Sequence, residues 1–218
     1  MVKKYKLNMG FTLVELLIVI TLIAILAVAI VATLNPIEQI NRARDSRFKN
    51  DASELLGAIE RYYTSTGEYP WMASALTGND ALTLSSSFQG LGTYSGSGVC
   101  ADNGGYNLDG DCTANGVLIT SDELKSQFRS KDQFSGTVDY SNQLYVYKPD
   151  QDSSVYVCFI PIANVNHTPS ERVKLWDLGM TGGAVVPQSI LEVDSTNFGD
   201  YTLAWSGTTD SLFVCVPE

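Results

Sequence analysis

The feature that most constrains this chain is an apolar run near its start. From Phe11 to Leu34 the sequence reads FTLVELLIVITLIAILAVAIVATL, 24 residues with a single charge, Glu15. As a helix at 1.5 Å per residue it would span roughly 36 Å, enough to cross a bilayer core of about 30 Å. The ten residues before it, MVKKYKLNMG, carry three lysines and no acid. A basic flank of this kind stays on the cytoplasmic side and sends the rest of the chain outward. Arg42, Arg44, Arg47 and Lys49 follow on the side assigned to the exterior, and Asp45 and Asp51 only partly offset them.

Three readings fit a basic leader followed by an apolar run. One is a secretory signal, with Ala27-Val28-Ala29 as the small-residue cleavage site. Another is a plain membrane anchor. The third is a leader cut before the apolar run, which keeps that run in the mature chain. Glu15 discriminates among them. A carboxylate at the centre of a membrane helix costs about 2.5–3.5 kcal/mol, and less near an end. A signal or simple anchor has no use for that cost.

Gly10-Phe11-Thr12-Leu13-Val14-Glu15, behind its basic leader, resembles the N-terminal signal of type IV prepilins and of the pseudopilins of type II secretion. The resemblance covers the small residue before the cut, the Phe after it, and a Glu fifth in the mature chain. It implies that a prepilin peptidase and N-methyltransferase cuts after Gly10 and methylates Phe11. Losing ten residues and three lysines would leave 208 residues with a formal charge of −13. It also implies that Glu15 meets the α-amino group of Phe11 on a neighbouring subunit. Opposite charges in a low-dielectric medium stabilise each other, and each alone is costly. Such a pair would set the axial register of packed helices, as a buried polar residue does in a coiled coil. A Glu15 lying near the headgroups, or protonated, would pair with nothing.

Beyond Leu34 the pattern changes. Asn35-Pro36 predicts a kink or local melting, because proline lacks the amide donor and clashes with the preceding turn. Ile37, Ile40, Phe48, Ala52, Leu55, Leu56, Ile59, Tyr62 and Tyr63 then recur at helical spacing as one buried stripe. Arg42, Arg44, Asp45, Arg47, Lys49, Asp51, Glu54 and Glu60 are expected mainly on the other face, as solvated charge. Gly57 is a weak point, and Thr66-Gly67-Glu68-Tyr69-Pro70 is a stop signal, with Gly67 as a left-handed cap. A helix over 11–66 would be roughly 84 Å long. One small domain cannot bury it, so its first half needs lipid or other copies of itself.

The remainder, from residue 67, carries 6 Lys+Arg against 18 Asp+Glu. That balance excludes general nucleic-acid binding, which needs cations to neutralise phosphates. Residues 72–116 are rich in Gly, Ser, Thr, Asn and Asp and read as a long loop, with a short element near 81–84. Thr120-Ser121-Asp122-Glu123 reads as a capping box opening a helix to about 130, with Leu124 and Phe128 on one face. Strands are expected near 143–147, 155–160, 173–177, 184–186, 202–205 and 212–216. The expected fold class is α+β: a long N-terminal helix, membrane-spanning in its first half, packed on a C-terminal antiparallel sheet. The parts are a leader (1–10), an assembly helix (11–34), an amphipathic helix (35–66) and a head (67–218).

Four cysteines sit in the head and none forms a CxxC pair. Cys100–Cys112 closes a short loop. Cys158 and Cys215 lie in two expected strands that would bring them within reach if adjacent. Spacing alone leaves three connectivities open, and four reduced cysteines also fit. Between the first pair, Asp102, Asn107, Asp109 and Asp111 offer hard oxygens that suit Ca²⁺, although no bidentate Glu follows at EF-hand spacing. A turn-rich acidic loop accounts for them as well. His167 is the single histidine, and no nucleophile, Walker or zinc-protease motif is present, so no enzymatic activity is expected. Asn166-His167-Thr168 matches a glycosylation sequon, and Trp71, Trp176 and Trp205 suit a core or interface more than a sugar site. The expected function is a structural filament subunit, its precursor held in the cytoplasmic membrane and its head outside. Its expected partners are other pilin subunits, the peptidase and an inner-membrane assembly platform. The competing class is a secreted or anchored binding domain.

Overall fold

The computed structural model describes residues 10–33, 35–71, 89–90, 97–100, 112, 114–131, 133, 140–148, 154–169, 174–177, 180–181, 184–185, 191–193 and 212–217. The chain divides into two compact units, Met1–Ile40 and Asn41–Glu218.

The first unit is dominated by α1 (Leu13–Thr33). Its described side chains are exposed all the way round, from Phe11 through Val31. A helix that is apolar on every face has no polar side to give to water. Leu13–Val31 is long and apolar enough to cross a membrane. The second helix, α2 (Pro36–Thr66), begins inside this unit. Asn35 supplies its cap, for Oδ1 accepts the Glu38 amide at 3.3 Å and its carbonyl accepts the Gln39 amide at 3.3 Å. Pro36 takes the first helical position, where a missing N–H costs nothing. The expected kink is therefore a genuine helix start.

In the second unit α2 packs on a sheet through Phe48, Ala52, Leu55, Leu56, Ile59 and Tyr62. Each large apolar side chain removed from water contributes about 1.5–3 kcal/mol. Ile37 and Ile40, expected in this stripe, are instead 69 % and 68 % exposed, and Tyr63 is also exposed. They precede the segment that meets the sheet, or point away from it. The helix ends as expected: Gly67 has φ +78° and donates its amide to the Tyr63 carbonyl at 2.8 Å.

Among the described residues, six strands form one antiparallel sheet. They are β1 (Gln89–Gly90), β2 (Leu144–Tyr147), β3 (Tyr156–Phe159), β4 (Leu175–Asp177), β7 (Leu191–Val193) and β8 (Leu212–Val216), ordered β1-β2-β3-β8-β4-β7. A hairpin pairs β5 (Met180–Thr181) with β6 (Ala184–Val185). Side chains alternate across the large sheet. Leu144, Val146, Val157, Phe159, Leu175 and Val214 join the core under α2. Tyr145, Tyr147, Cys158, Phe213 and Cys215 pack together on the other face. Burial on both faces explains the unbroken apolar runs of β3 and β8. The strand expected near 202–205, with Trp205, and the element near 81–84 lie outside the described residues.

A further local expectation fails. Thr120 ends α3 (Val117–Thr120) and does not open a helix. Ser121 is its C-cap, Asp122 takes φ +62°, and the next element is a 3₁₀ helix, Ser126–Ser130. Glu123 is drawn off to α2, where Arg61 Nε meets its Oε2 at 3.0 Å and Arg61 Nη2 donates to its carbonyl at 2.7 Å. Leu124 and Phe128 are nevertheless both buried in the core.

Candidate functional site

The candidate site is the start of α1. Gly10 and Phe11 precede the helix, and Phe11 is 83 % exposed, which leaves the Gly10–Phe11 peptide accessible. Thr12 and Glu15 form a reciprocal cap. The Glu15 amide donates to Thr12 Oγ1 at 3.2 Å, while Glu15 Oε2 accepts the Thr12 amide at 3.1 Å and the Thr12 hydroxyl at 3.0 Å. This is a Thr-x-x-Glu capping box, which satisfies donors that a helix start leaves open. Both bonds fall on Oε2, and Oε1 makes none among the described residues. Thr12-Leu13-Val14-Glu15 carries this cap in the sequence, beside the membrane charge and the register partner that Glu15 also suggests.

The arrangement ties one charge to the end of an exposed apolar helix. Among the described residues of α1, Glu15 is the one ionisable group. Its carboxylate is oriented by its own helix and retains acceptor capacity for a second donor.

The head is fastened by two disulfides, Cys100–Cys112 and Cys158–Cys215. Cys158 and Cys215 stand directly opposite each other in neighbouring strands. The first bridge adjoins an isolated antiparallel bridge between Cys100 and Asn115, next to which Gly116 donates to the Val99 carbonyl and Leu118 to the Gly98 carbonyl, each at 2.9 Å. Gly98 has φ +81°, and a Cβ there would lie 2.5 Å from Pro70 Cβ, so only glycine fits. Disulfides persist in oxidising compartments.

Two acids expected on the solvated face of α2 are buried. Asp45 is 2 % exposed. Its Oδ1 accepts the Ile162 amide at 3.1 Å, and its Oδ2 accepts Ala163 N–H at 3.0 Å and Asn166 Nδ2 at 2.8 Å. Arg44 beside it donates to the carbonyls of Ser141 and Ile160 and lies over the Phe48 ring, 4.2 Å from its centroid. Asp51, 6 % exposed, binds Lys131 Nζ at 2.6 Å and Gln133 Nε2 at 2.8 Å. Helical spacing places residues on a face but does not reveal a loop returning with unpaired amides.

The remaining candidates have structural roles or lie elsewhere. Asp102, Asn107, Asp109 and Asp111 lie outside the described residues, and no metal-binding cluster occurs among the described ones. His167 Nε2 lies 3.1 Å from the Pro161 carbonyl. Asn166 of the sequon is held by Asp45. Trp71 is buried at the end of a stack, with Tyr63–Tyr69 centroids 4.4 Å apart and Tyr69–Trp71 centroids 4.7 Å apart. Burial, with smaller contributions from Tyr63 and Glu60, raises the Tyr69 phenol above its ordinary range. Trp176 is half-buried.

Comparison with protein families, with curated proteins and with solved structures gave no match. What the chain has in common with pilins is architectural: an apolar N-terminal helix and an α+β head in which α2 lies on an antiparallel sheet.

Proposed function

We propose that this chain is a structural subunit of a type IV pilus or a pseudopilus-like filament. The observation that carries the reading is α1: apolar and exposed on all sides, with one carboxylate fixed in its first turn beside an accessible Gly10–Phe11 bond. The precursor is held in the cytoplasmic membrane with its leader inside. A prepilin peptidase cuts after Gly10 and methylates Phe11. The α-amino group so created approaches Glu15 of a neighbouring copy at Oε1, while Thr12 holds Oε2. That contact neutralises two charges that are each costly in an apolar bundle, and it fixes the axial register of the helices. An inner-membrane platform assembles the copies. The head stands in the oxidising space outside, where its two disulfides are stable. No catalytic step is assigned to it.

Filament recovery from cells making Glu15→Ala tests this reading. Filaments are lost or disordered while the head keeps its disulfides and its protease resistance. Normal mutant filaments would remove the register role.

A further inference from the structure

Asp51 sits midway along α2 with its side chain buried in the head. Three polar groups converge on it. Lys131 Nζ lies 2.6 Å from Oδ1. Gln133, also buried, donates from Nε2 to Oδ2 at 2.8 Å. Glu54, one turn further along α2, brings its Oε2 to 3.1 Å from the same Nζ. The buried Phe128 ring lies against that nitrogen, its centroid 4.0 Å away. An ordinary ion pair needs neither the buried amide nor the second carboxylate. Together these are the parts of an acyl transfer: an amine against a carboxyl group, a donor on the oxygen that gains charge, and a base beside the amine.

From this geometry we propose that Lys131 Nζ and Asp51 Cγ join in an isopeptide bond that the folded chain makes itself. The Lys131 ammonium first passes one proton to Oδ1, which leaves an amine facing a carboxylic acid. The Nζ lone pair attacks Cγ, and the π electrons move to Oδ2, where Gln133 Nε2 stabilises the charge. Glu54 Oε2 takes a second proton from Nζ and returns it to Oδ1. The Cγ–Oδ1 bond breaks, the Cγ=Oδ2 bond re-forms, and Oδ1 leaves as water. One C–N bond replaces one C–O bond, and nothing is oxidised or reduced. One positive and one negative charge vanish together, so the net charge of the chain is unchanged.

A free amine and a free acid in water stay apart as ions. Held in contact they react as one molecule, with an effective concentration that reaches about 10⁸ M in the best-oriented cases. Burial of Asp51 and Gln133 also keeps out the water that would reverse the step. The bond ties α2 to the segment that follows the 3₁₀ helix Ser126–Ser130, across 80 positions of sequence. Tension on α2 is then borne by a covalent link as well as by packing. The inference concerns the head alone and does not depend on the filament reading.

The test is mass spectrometry of the full chain, purified in detergent and then digested. The wild-type chain is expected to give a branched peptide that joins the Asp51 and Lys131 segments and is lighter than their sum by one water. Lys131→Arg keeps a cation beside Asp51 but cannot make this bond, so its two segments separate at full mass. On a denaturing gel, after reduction, the wild-type chain still carries a closed loop and runs ahead of Lys131→Arg. Glu54→Gln slows the appearance of the branched peptide after a pulse of synthesis by about a hundredfold, and leaves the finished bond the same. Wild-type segments that separate at full mass overturn the proposal and leave an ion pair. So does a loss of water that persists in Lys131→Arg, which would be a cyclic imide at Asp51. An unchanged rate in Glu54→Gln overturns the assignment of the base.

Discussion

Asp45→Ala is expected to be the most damaging single substitution on the helical surface of the head. The carboxylate is the acceptor for the amides of Ile162 and Ala163 and for the Asn166 side chain, at 3.1, 3.0 and 2.8 Å. Each buried donor left unpaired costs about 1–3 kcal/mol. Ala163 is fully buried, whereas Ile162 and Asn166 are half-buried and recover part of the loss from water. The Arg44 guanidinium, 3.4 Å from Oδ1, also loses its neighbouring anion. The sum is about 3–5 kcal/mol, a drop in Tm of roughly 10 °C for a domain of this size. Asp45→Asn keeps one acceptor but turns an NH₂ towards N–H donors, so it is expected to lose about half as much. Glu54→Ala serves as the control: its bond to Lys131 is exposed, and the change is worth under about 1 kcal/mol. The assay is urea unfolding of the full chain in detergent, followed by near-ultraviolet circular dichroism. A loss below about 1 kcal/mol for Asp45→Ala would refute the idea that this carboxylate fastens α2 to the turn after β3.

Other consequences follow from separate parts of the molecule. Replacing Cys158 and Cys215 by Ser opens a longer loop than replacing Cys100 and Cys112, with separations of 57 and 12 residues. Loop entropy then predicts losses of about 4 and 3 kcal/mol, read from urea midpoints without reductant. Thr12→Val removes the hydroxyl of the capping box and weakens the first turn of α1 by about 1 kcal/mol, while Thr12→Ser does not; amide exchange at Glu15 reports the difference. The Tyr69 phenol is held above its ordinary range, so the folded state prefers the neutral ring. Its contribution is complete below the ordinary tyrosine range and is lost as pH rises through the folded value; Tyr69→Phe flattens that alkaline decline in a stability–pH profile.

Much of the fold was legible because periodicity is physical. The run over 11–34 contains only one charge, and the stripe from Phe48 to Tyr62 contains only residues that gain from burial. Gly67 and Pro70 end α2 where the backbone must turn. Strands β2, β3 and β8 show as apolar runs because both of their faces are covered. Two misses share a cause. Thr120-Ser121-Asp122-Glu123 has the composition of a cap, but the Glu123 carboxylate gains more by meeting Arg61, 62 positions away. Asp45 and Asp51 look solvated on a helical wheel, but they answer amide and cation donors returning from 131–133 and 162–166. Local propensity carries no information about such distant donors. The capping box at Thr12 was fully local, and nothing physical hid it. Strands of two or three residues such as β1, β5 and β7 are too short to show a period. Their pairing is decided by the neighbours they meet.

The central claim is that the apolar helix stays in the mature chain and begins at Phe11. The mass of the N-terminal peptide from membrane or filament fractions tests it directly. The account predicts a peptide that starts at N-methylated Phe11 and retains all of α1. A peptide starting near Thr33 or Asn35 would contradict it. That product would lack α1, and the exported head would have nothing with which to build a filament.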